Sequence, residues 1–334
     1  MFANPFKTGR RTLGLLTLSL FAFALTFTAC KDEENPITVP TGQTITQFVA
    51  GNNFSLLNAA VTKAGLATTL SGTGPFTLFA PTDDAFRAAG FADAAAVNAA
   101  ADTTLRRILL YHVVSGSLPA SAIPTSQTAL PTSLSANGTV YVSKAASTSG
   151  TGVSVNGARV VQADGQATNG IVHAIDQVLM PPAGNILQIA QRDTSLSLLT
   201  AAALRGGALV TGALSGTATA LTVLAPTNAA FRAAGFPTVA AINLAPEATL
   251  TAVLTNHVIA NARAYSPTLT NGPITTFGGG AVTATVGTGS SVTLLSRGNG
   301  TNVSNVLANS PTARNRDISA TNGVIHKIDR VLLP

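Results

Sequence analysis

Cysteine and tryptophan are nearly missing from this chain of 334 residues. Cys30 is the one cysteine, and there is no tryptophan. A lone cysteine cannot pair within its own chain, so no internal disulfide bond is expected. The three tyrosines are Tyr111, Tyr141 and Tyr265. So small a supply of aromatic residues argues against a sugar site built on stacked aromatic rings.

Charged side chains are also scarce, at 10% of all residues, which fits an exported protein better than a cytosolic enzyme. The formal net charge is +6, but three basic residues lie within residues 1–11, and the other 16 basic against 13 acidic residues give +3. Residues 183–334 hold nine basic and four acidic residues, scattered rather than clustered. Because there is no basic run and no recognised motif, nucleic-acid binding is not expected.

The common signatures of catalysis and of cofactor binding are missing as well. No serine lies in a Gly-x-Ser-x-Gly elbow, and the three glycines at 278–280 lack the flanking strand and helix of a phosphate-binding loop. None of the four histidines has a cysteine, a second histidine or an acid at ligand spacing, so no zinc site is expected. We therefore expect no enzyme activity, no metal and no cofactor.

The first 29 residues have the pattern of a secretory signal peptide. Residues 1–11 carry Lys7, Arg10 and Arg11 and no acid, and residues 13–29 are apolar and uncharged. Seventeen such residues are marginal for a membrane-spanning helix, which needs about twenty. A basic start, a short apolar stretch and small residues at its end predict a cleaved export signal.

Cys30 follows this stretch and resembles the acylated cysteine of a bacterial lipoprotein, although Phe27 stands where such sites usually have leucine. Ordinary cleavage or a free cysteine is the alternative. Residues 30–41 would then be a lipidated cysteine and its tether, and several acyl chains would anchor it stably, at about 0.8 kcal/mol for each buried methylene. The run Lys31-Asp32-Glu33-Glu34 is either a solvated start to the tether or a signal for the outer face of the outer membrane.

The rest of the chain repeats itself once. Three segments recur in the same order: Phe76–Phe86 and Leu221–Phe231, then Tyr111–Val113 and Asn256–Val258, then Asn169–Leu179 and Asn322–Leu332. Pro226 follows Pro81 by 145 residues, whereas Asn322 follows Asn169 by 153. The second copy therefore carries about eight extra residues before its last segment. A repeat this long predicts a duplicated globular domain rather than a solenoid.

These three segments resemble those of the fasciclin (FAS1) family, in order and in both copies. The resemblance implies an α+β fold with two tandem fasciclin-like domains, each a wedge of two β-sheets with flanking helices. We expect the domains at residues 42–182 and 183–334, joined at Met180–Gly184. The resemblance also implies extracellular adhesion or matrix contact, here in a tandem two-domain bacterial lipoprotein.

The outer two segments predict local structure. Thr82 and Thr227 are placed to cap a helix after a short strand that Pro81 and Pro226 end, and Asp83 lies in the first turn, where the helix dipole favours a negative charge. We expect structural roles for the following residues of the repeated segments: Pro81, Thr82, Asp83, Asn169, Gly170, His173 and Asp176 in the first copy, and Pro226, Thr227, Asn228, Asn322, Gly323, His326 and Asp329 in the second.

His173 and His326 fall in the closing strand of each copy. Side chains alternate between the faces of a strand, so each histidine shares a face with isoleucine or valine neighbours and is expected in the core. The opposite face, with Ala174 or Lys327, is expected to be wetter. Asp176 and Asp329, three residues further on, should lie on that opposite face, where they could not pair with the histidine for catalysis.

The Tyr-His element is the sharpest candidate for a functional contact. In animal members of the fasciclin family this element and its aliphatic neighbours are associated with receptor contact. The resemblance implies such a surface at the following residues: Leu109, Leu110, Tyr111, His112 and Val113, with Asn256, His257 and Val258 in the second copy. The alternative is that these residues seat a helix against a sheet. Because Asn256 replaces tyrosine, a contact that depends on tyrosine would belong to the first domain alone.

The sequence as a whole predicts a non-catalytic adhesion or matrix-interaction protein, exported and held by lipid in the outer membrane, with its domains at the cell surface. Its partner would be an unidentified extracellular protein or polysaccharide. The alternative is a periplasmic protein that binds a small apolar or polymeric ligand in a crevice between helices and sheet. An enzyme ranks a distant third.

Overall fold

The computed structural model describes residues 42–144, 152–217, 219–288 and 291–334. These residues all fall within one compact unit of the chain. The expected signal peptide, Cys30 and the whole tether up to residue 41 lie outside the described residues and stay predictions. Within the described residues, no helix is both long and apolar enough to cross a membrane.

The helices of the first half come mostly before its strands. They are α1 (Ile45–Gly51), α2 (Ser55–Lys63), α3 (Ala67–Leu70), α4 (Asp83–Ala88), α5 (Ala94–Ala99) and α6 (Asp102–Tyr111). Leu105, Ile108 and Leu109 of α6 are buried at the spacing of one helix face. Helix α2 ends at Lys63, and Gly65 follows at φ 65°, in the left-handed region that favours glycine.

The strands of the first half form a single sheet in the order β2-β1-β7-β6-β5-β4-β3. They are β1 (Phe76–Pro81), β2 (Val113–Ser115), β3 (Thr128–Pro131), β4 (Thr139–Lys144), β5 (Val153–Val155), β6 (Ala158–Ala167) and β7 (Gly170–Ile175). Strand β6 shifts register against β7 between Val160 and Gly165, and such bulges bend a strand. The two sheets that the resemblance implies are thus continuous here through β6.

The second half repeats the helices with one change. They are α7 (Ile186–Arg192), α8 (Ser197–Arg205), α9 (Gly207–Ser215), α10 (Asn228–Ala233), α11 (Val239–Leu244) and α12 (Glu247–Asn256). Gly206 ends α8, as the glycine pair at this point indicates, but Gly207 begins a further helix. Helix α9 therefore stands where the first domain has the shorter α3.

The strands of the second half form two four-stranded sheets, in the orders β10-β11-β12-β13 and β14-β15-β8-β9. They are β8 (Leu221–Pro226), β9 (Val258–Ala260), β10 (Gly272–Thr275), β11 (Ala281–Val286), β12 (Val292–Ser296), β13 (Ser304–Asn305), β14 (Ile318–Ala320) and β15 (Gly323–Ile328). The duplicated domain that the repeats predict and the α+β fold that the resemblance implies are confirmed.

A parallel pair of strands joins the first and last segments of each copy. Phe79 lies opposite His173 in β1 and β7, and Leu224 lies opposite His326 in β8 and β15. Strands β7 and β15 are buried almost throughout, as is usual for parallel strands covered on both faces. The expectation of a wetter second face is wrong: Ala174 is buried, and so is Lys327.

The extra residues of the second copy form an insertion between β13 and β14. Val160 bridges Ile175 in the first domain as Val306 bridges Ile328 in the second. Four positions separate Val160 from Asp164, but eleven separate Val306 from the equivalent Asp317. We call residues 307–316 the insertion. Its tip is a tight turn in which Ser310 and Ala313 exchange backbone hydrogen bonds.

The insertion reaches back to the first domain. Asn309 Nδ2 donates to Gln177 Oε1 at 3.0 Å, and Arg314 Nη1 donates to the backbone oxygen of Val178 at 3.2 Å. A second contact lies elsewhere, where the Arg263 guanidinium is stacked 4.7 Å above the ring centre of Tyr141. These contacts tie the two domains together at two places.

Candidate functional site

The Tyr-His element lies where α6 ends and β2 begins. Leu109, Tyr111, His112 and Val113 are buried, and Leu110 is half-buried. Asn256, His257 and Val258 are buried in the second domain. With this much of the element inside the fold, a macromolecular partner cannot reach most of its side chains. The contact role stays a prediction, and the packing role has direct geometric support.

Each histidine of the element uses both ring nitrogens on backbone groups. Leu179 N–H donates to His112 Nε2 at 2.9 Å, so Nδ1 carries the proton and donates to the Ile108 oxygen at 2.8 Å. His257 makes the same pair of bonds with Leu332 N–H and the Val253 oxygen. Burial lowers the pKa of both rings to about 4. Each histidine is therefore a neutral link between a helix end and the closing segment of its domain.

Tyr111 and Asn256 make equivalent links with different chemistry. Tyr111 donates its hydroxyl proton to the Thr139 oxygen and accepts from Asn156 Nδ2, each at 2.8 Å. Burial raises the pKa of Tyr111 well above its usual range. Asn256 Nδ2 donates to Ser296 Oγ at 3.0 Å and to the Leu332 oxygen at 3.1 Å. Both side chains thus connect α6 or α12 to the strands beneath.

His173 and His326 lie in the interior, on the strands where alternation placed them. Asp164 N–H donates to His173 Nδ1 at 3.2 Å, and Nε2–H donates to the Leu118 oxygen at 2.8 Å. His326 bonds the Asp317 N–H and the Ala264 oxygen in the same way. Burial lowers the pKa of His173. In all four histidines, both ring nitrogens are therefore hydrogen-bonded to backbone groups.

Asp176 and Asp329 also serve the backbone. Asp176 Oδ1 accepts from Arg159 N–H at 2.8 Å, and Asp329 Oδ1 accepts from Asn305 N–H at 2.7 Å. Burial raises the pKa of Asp176, against the opposing effect of Arg159. Each carboxylate holds the strand beside the closing segment of its domain.

The first repeated segment caps two helices at once. Thr82 Oγ1 accepts from Ala85 N–H at 3.2 Å and Thr227 Oγ1 from Ala230 N–H at 3.4 Å, so both residues cap the helix that follows. Asp83 lies in the first turn of α4, as expected. Its carboxylate also accepts a hydrogen bond from Leu56 N–H at 2.9 Å, at the start of α2. Asn228 accepts from Leu198 N–H at the start of α8 in the same way.

The Asn-Gly pair closes each domain against its first helix. Asn169 Oδ1 accepts from Ile45 N–H, and its Nδ2 donates to the oxygens of Leu70 and Gly72. Asn322 repeats this pattern in the second domain. A Cβ atom on Gly170 would lie 2.0 Å from the Phe76 oxygen, and one on Gly323 would lie 2.1 Å from the Leu221 oxygen. Only glycine fits where the strands come this close.

The repeated segments thus form a scaffold of saturated polar groups. Among the residues that the structure describes, no group of three or more histidines, cysteines or acids could hold a metal ion. The hydrogen bonds described above support packing. Exposed side chains elsewhere offer a partner easier access.

Four exposed aliphatic side chains lie on neighbouring helices of the second domain, and we call them the helical patch. It consists of Leu204 in α8, Leu209 in α9, and Val239 and Leu244 in α11. Leu244 is 87% exposed, and the others are 45–57% exposed. Arg205 Nε donates to the Asn243 oxygen at 3.4 Å, so the sequence neighbours of Leu204 and Leu244 lie side by side.

This patch lies outside the residues predicted from the sequence, although alignment of the two copies reveals it. The cap of α2 by Asp83 and the cap of α8 by Asn228 align Thr62 with Leu204. The caps of α5 and α11 align Ala94 with Val239 and Ala99 with Leu244. The first domain thus has small or polar residues where the second exposes large aliphatic ones.

Comparison with known proteins identifies the repeats. A family model described as the Fasciclin domain matches residues 52–181 and again residues 195–334. Protein sll1483 of Synechocystis sp. is 36% identical over 187 residues, which cover 53% of this chain and 99% of that protein. Transforming growth factor-beta-induced protein ig-h3 of Sus scrofa is 31% identical over 267 residues, or 79% of this chain.

The chain matches less than half of the length of each of these animal relatives. The chain covers 35% of the porcine ig-h3 protein and 20% of human periostin, to which it is 30% identical over 182 residues. A solved FAS1 domain pair from the insect cell adhesion molecule Fasciclin I matches with a TM-score of 0.41 and 19% identity, covering 84% of this chain and 98% of that one.

Proposed function

Because the chain belongs to the fasciclin domain family, we propose that it is a non-catalytic adhesion or matrix-contact protein. Members of this family serve mainly in extracellular adhesion. The observation that carries the proposal is the state of the four histidines, whose ring nitrogens are all bonded to backbone groups in the interior. The residues best suited to acid–base chemistry hold the scaffold instead.

The chain is presented to its surroundings by its N-terminal segment. In this proposal residues 1–29 direct export, a lipid on Cys30 anchors the chain in the outer membrane, and residues up to 41 separate the domains from the lipid. The run after Cys30 favours the outer face, and the periplasmic face is the alternative. The anchor would hold both domains at the surface, facing an extracellular protein or polysaccharide.

The contacts between the domains suit an adhesive role. The insertion and the Arg263–Tyr141 stack hold the two modules in a limited range of orientations. Two modules at a fixed spacing gain affinity when both engage a repeating ligand, since the second contact becomes intramolecular. Weak contacts at each domain would then suffice for attachment.

We assign the contact surface to the helical patch of the second domain. Single exposed leucines are ordinary on protein surfaces, but several large aliphatic residues on adjoining helices form the kind of patch that partners cover. The patch sits on helices whose buried faces pack in the core. It can therefore be altered without disturbing the fold.

The alternative function requires a ligand-sized crevice between helices and sheet. In the second domain the cavity at that place is lined by Leu199, Thr200 and Ile325, among others, and encloses about 10 Å³. That is room for about one water molecule. The crevice at this place in the second domain is therefore too small for a ligand, which counts against the alternative for that domain.

The test is attachment of cells to a surface coated with their own extracellular polymer. Cells that make the full chain should be retained under flow, and cells that lack it should wash off. A Leu204→Ala/Leu244→Ala chain should behave nearly like the absent chain. The matched control is Thr62→Ala/Ala99→Ser in the first domain, which should retain full attachment. Equal retention of all strains would refute the adhesive function, and loss in the control alone would refute the patch.

A further inference from the structure

A cleft of about 450 Å³ lies between the first domain and the insertion of the second. On one side it is lined by helix α4 and by residues Asp176–Val178 and Met180, and on the other by residues 308–314 and Arg316. Small-molecule sites range from about 300 to 1,000 Å³ and occur preferentially at domain interfaces. The cleft thus has the size and the position of a ligand site.

The cleft exists because the second copy has the insertion. The turn at its tip approaches the end of α4, where a Cβ atom on Gly90 would lie 3.0 Å from the Pro311 oxygen. Asn309 and Arg314 fasten the insertion to Gln177 and Val178. The walls are therefore held from two sides, and the cleft is formed before any ligand arrives.

The polar lining of the cleft carries more positive than negative charge. Arg314 and Arg316 line it, and Asp176 is the one carboxylate among the described lining residues. Burial raises the pKa of Asp176, while Arg159 and Arg316 counter this effect. Its charge is thus already balanced in part by neighbouring guanidinium groups.

The hydrogen-bonding capacity of Arg314 is partly unused. Its Nη1 donates to the Val178 oxygen, but its Nε is buried without a hydrogen-bond acceptor in the described part of the chain. No carboxylate of the described residues forms an ion pair with it within 4.0 Å. Burial lowers the pKa of its guanidinium, against the opposing effect of the more distant Asp317 carboxylate. A guanidinium has five N–H donors, and a desolvated cation is stabilised strongly by an anion.

The rest of the lining is largely apolar. Ala85 and Ala88 of α4 and Ala89 directly after it present methyl groups, and Val178, Met180 and Pro311 add to them. We propose that this cleft binds a small organic acid, whose anionic group pairs with Arg314 and whose apolar body lies along the alanine face of α4. This site is separate from the helical patch and does not depend on the adhesive function.

The test uses 8-anilino-1-naphthalenesulfonate, an apolar fluorescent anion, with N-phenyl-1-naphthylamine as its uncharged counterpart. Titration of the purified full chain should show one site for the anion. The uncharged compound should bind about tenfold more weakly or worse, which is the size of one charge-assisted hydrogen bond. No saturable binding of the anion, or equal affinity for the two compounds, would overturn the proposal.

Two variants test whether the compounds bind in the cleft. Arg314→Met should weaken the anion about tenfold and leave the uncharged compound unchanged. Ala88→Leu fills the cleft from an exposed helix position and should weaken both compounds. Its matched control is Ala233→Leu, the same position of α10 in the second domain, which should change neither. If Arg314→Met loses its native circular dichroism, the comparison of Ala88→Leu with Ala233→Leu tests the site instead. Equal affinities of these two variants for the anion would refute the site.

Discussion

Acid should destabilise each domain through its buried Tyr-His histidine, His112 or His257. Burial holds the pKa of each at about 4 in the folded chain, whereas an unfolded histidine has a pKa of about 6.5. The unfolded chain therefore takes up the proton first as the pH falls. Each histidine leaves the free energy of unfolding of its domain unchanged above about pH 7. It lowers that free energy progressively as the pH drops from 6.5 towards 4.

The size of the effect follows from the two pKa values. At about pH 5 the unfolded histidine is almost fully protonated and the folded one is mostly neutral. The difference lowers the free energy of unfolding by about 2 kcal/mol for each domain. The charge of Arg314 acts on His112 in the same direction, since it disfavours the protonated ring.

Urea unfolding followed by far-ultraviolet circular dichroism at pH 7.5 and pH 5.0 measures this difference. His112→Gln removes the titrating group from the first domain. This variant should be less stable at pH 7.5, but its first domain should lose about 2 kcal/mol less between the two pH values. His257→Gln should do the same for the second domain. If either variant keeps the pH dependence of the original chain, the assignment of a buried neutral histidine is wrong.

Three further substitutions can be measured by the same unfolding assay at neutral pH. Asp83→Ala removes the cap of α2 and should cost about 1–2 kcal/mol, whereas Asp84→Ala, at an exposed ion pair, should cost under about 0.5 kcal/mol; equal costs would refute the capping role. Lys327 Nζ is buried 2.6 Å from Asp193 Oδ2. Asp193→Ala leaves this ammonium group without a counter-charge and should lower the free energy of unfolding by about 3 kcal/mol. His326→Ala should lower the melting temperature of its own domain, and unchanged melting would remove this histidine from the core.

The fold could be predicted because its determinants are local and repeated. In each copy, seven residues that end in Ala-Pro-Thr predict a strand, the proline that ends it and the threonine that caps the next helix. Strand alternation placed His173 and His326 inside, because a period of two residues needs no knowledge of the partner strand. The same local signals located the extra residues of the second copy between the Tyr-His element and the closing strand.

What could not be predicted depends on contacts between distant parts of the chain. Lys327 was expected on a wet face, yet it is buried, because Asp193, far away in sequence, neutralises it. Asp83 caps a helix nearly thirty residues earlier, at Leu56. The cleft needs the insertion, the end of α4 and the joint together. None of these pairings leaves a periodic signal in the sequence.

The central claim is that the chain is anchored by Cys30 with its domains outside the cell, and protease treatment of intact cells tests it most directly. Cleavage of residues 42–334 should occur without permeabilisation, and a Cys30→Ala chain should be released or mislocalised. Permeabilised cells control for protease activity. Protection until the outer membrane is breached would contradict the claim and would make Lys31-Asp32-Glu33-Glu34 a plain tether of a periplasmic protein.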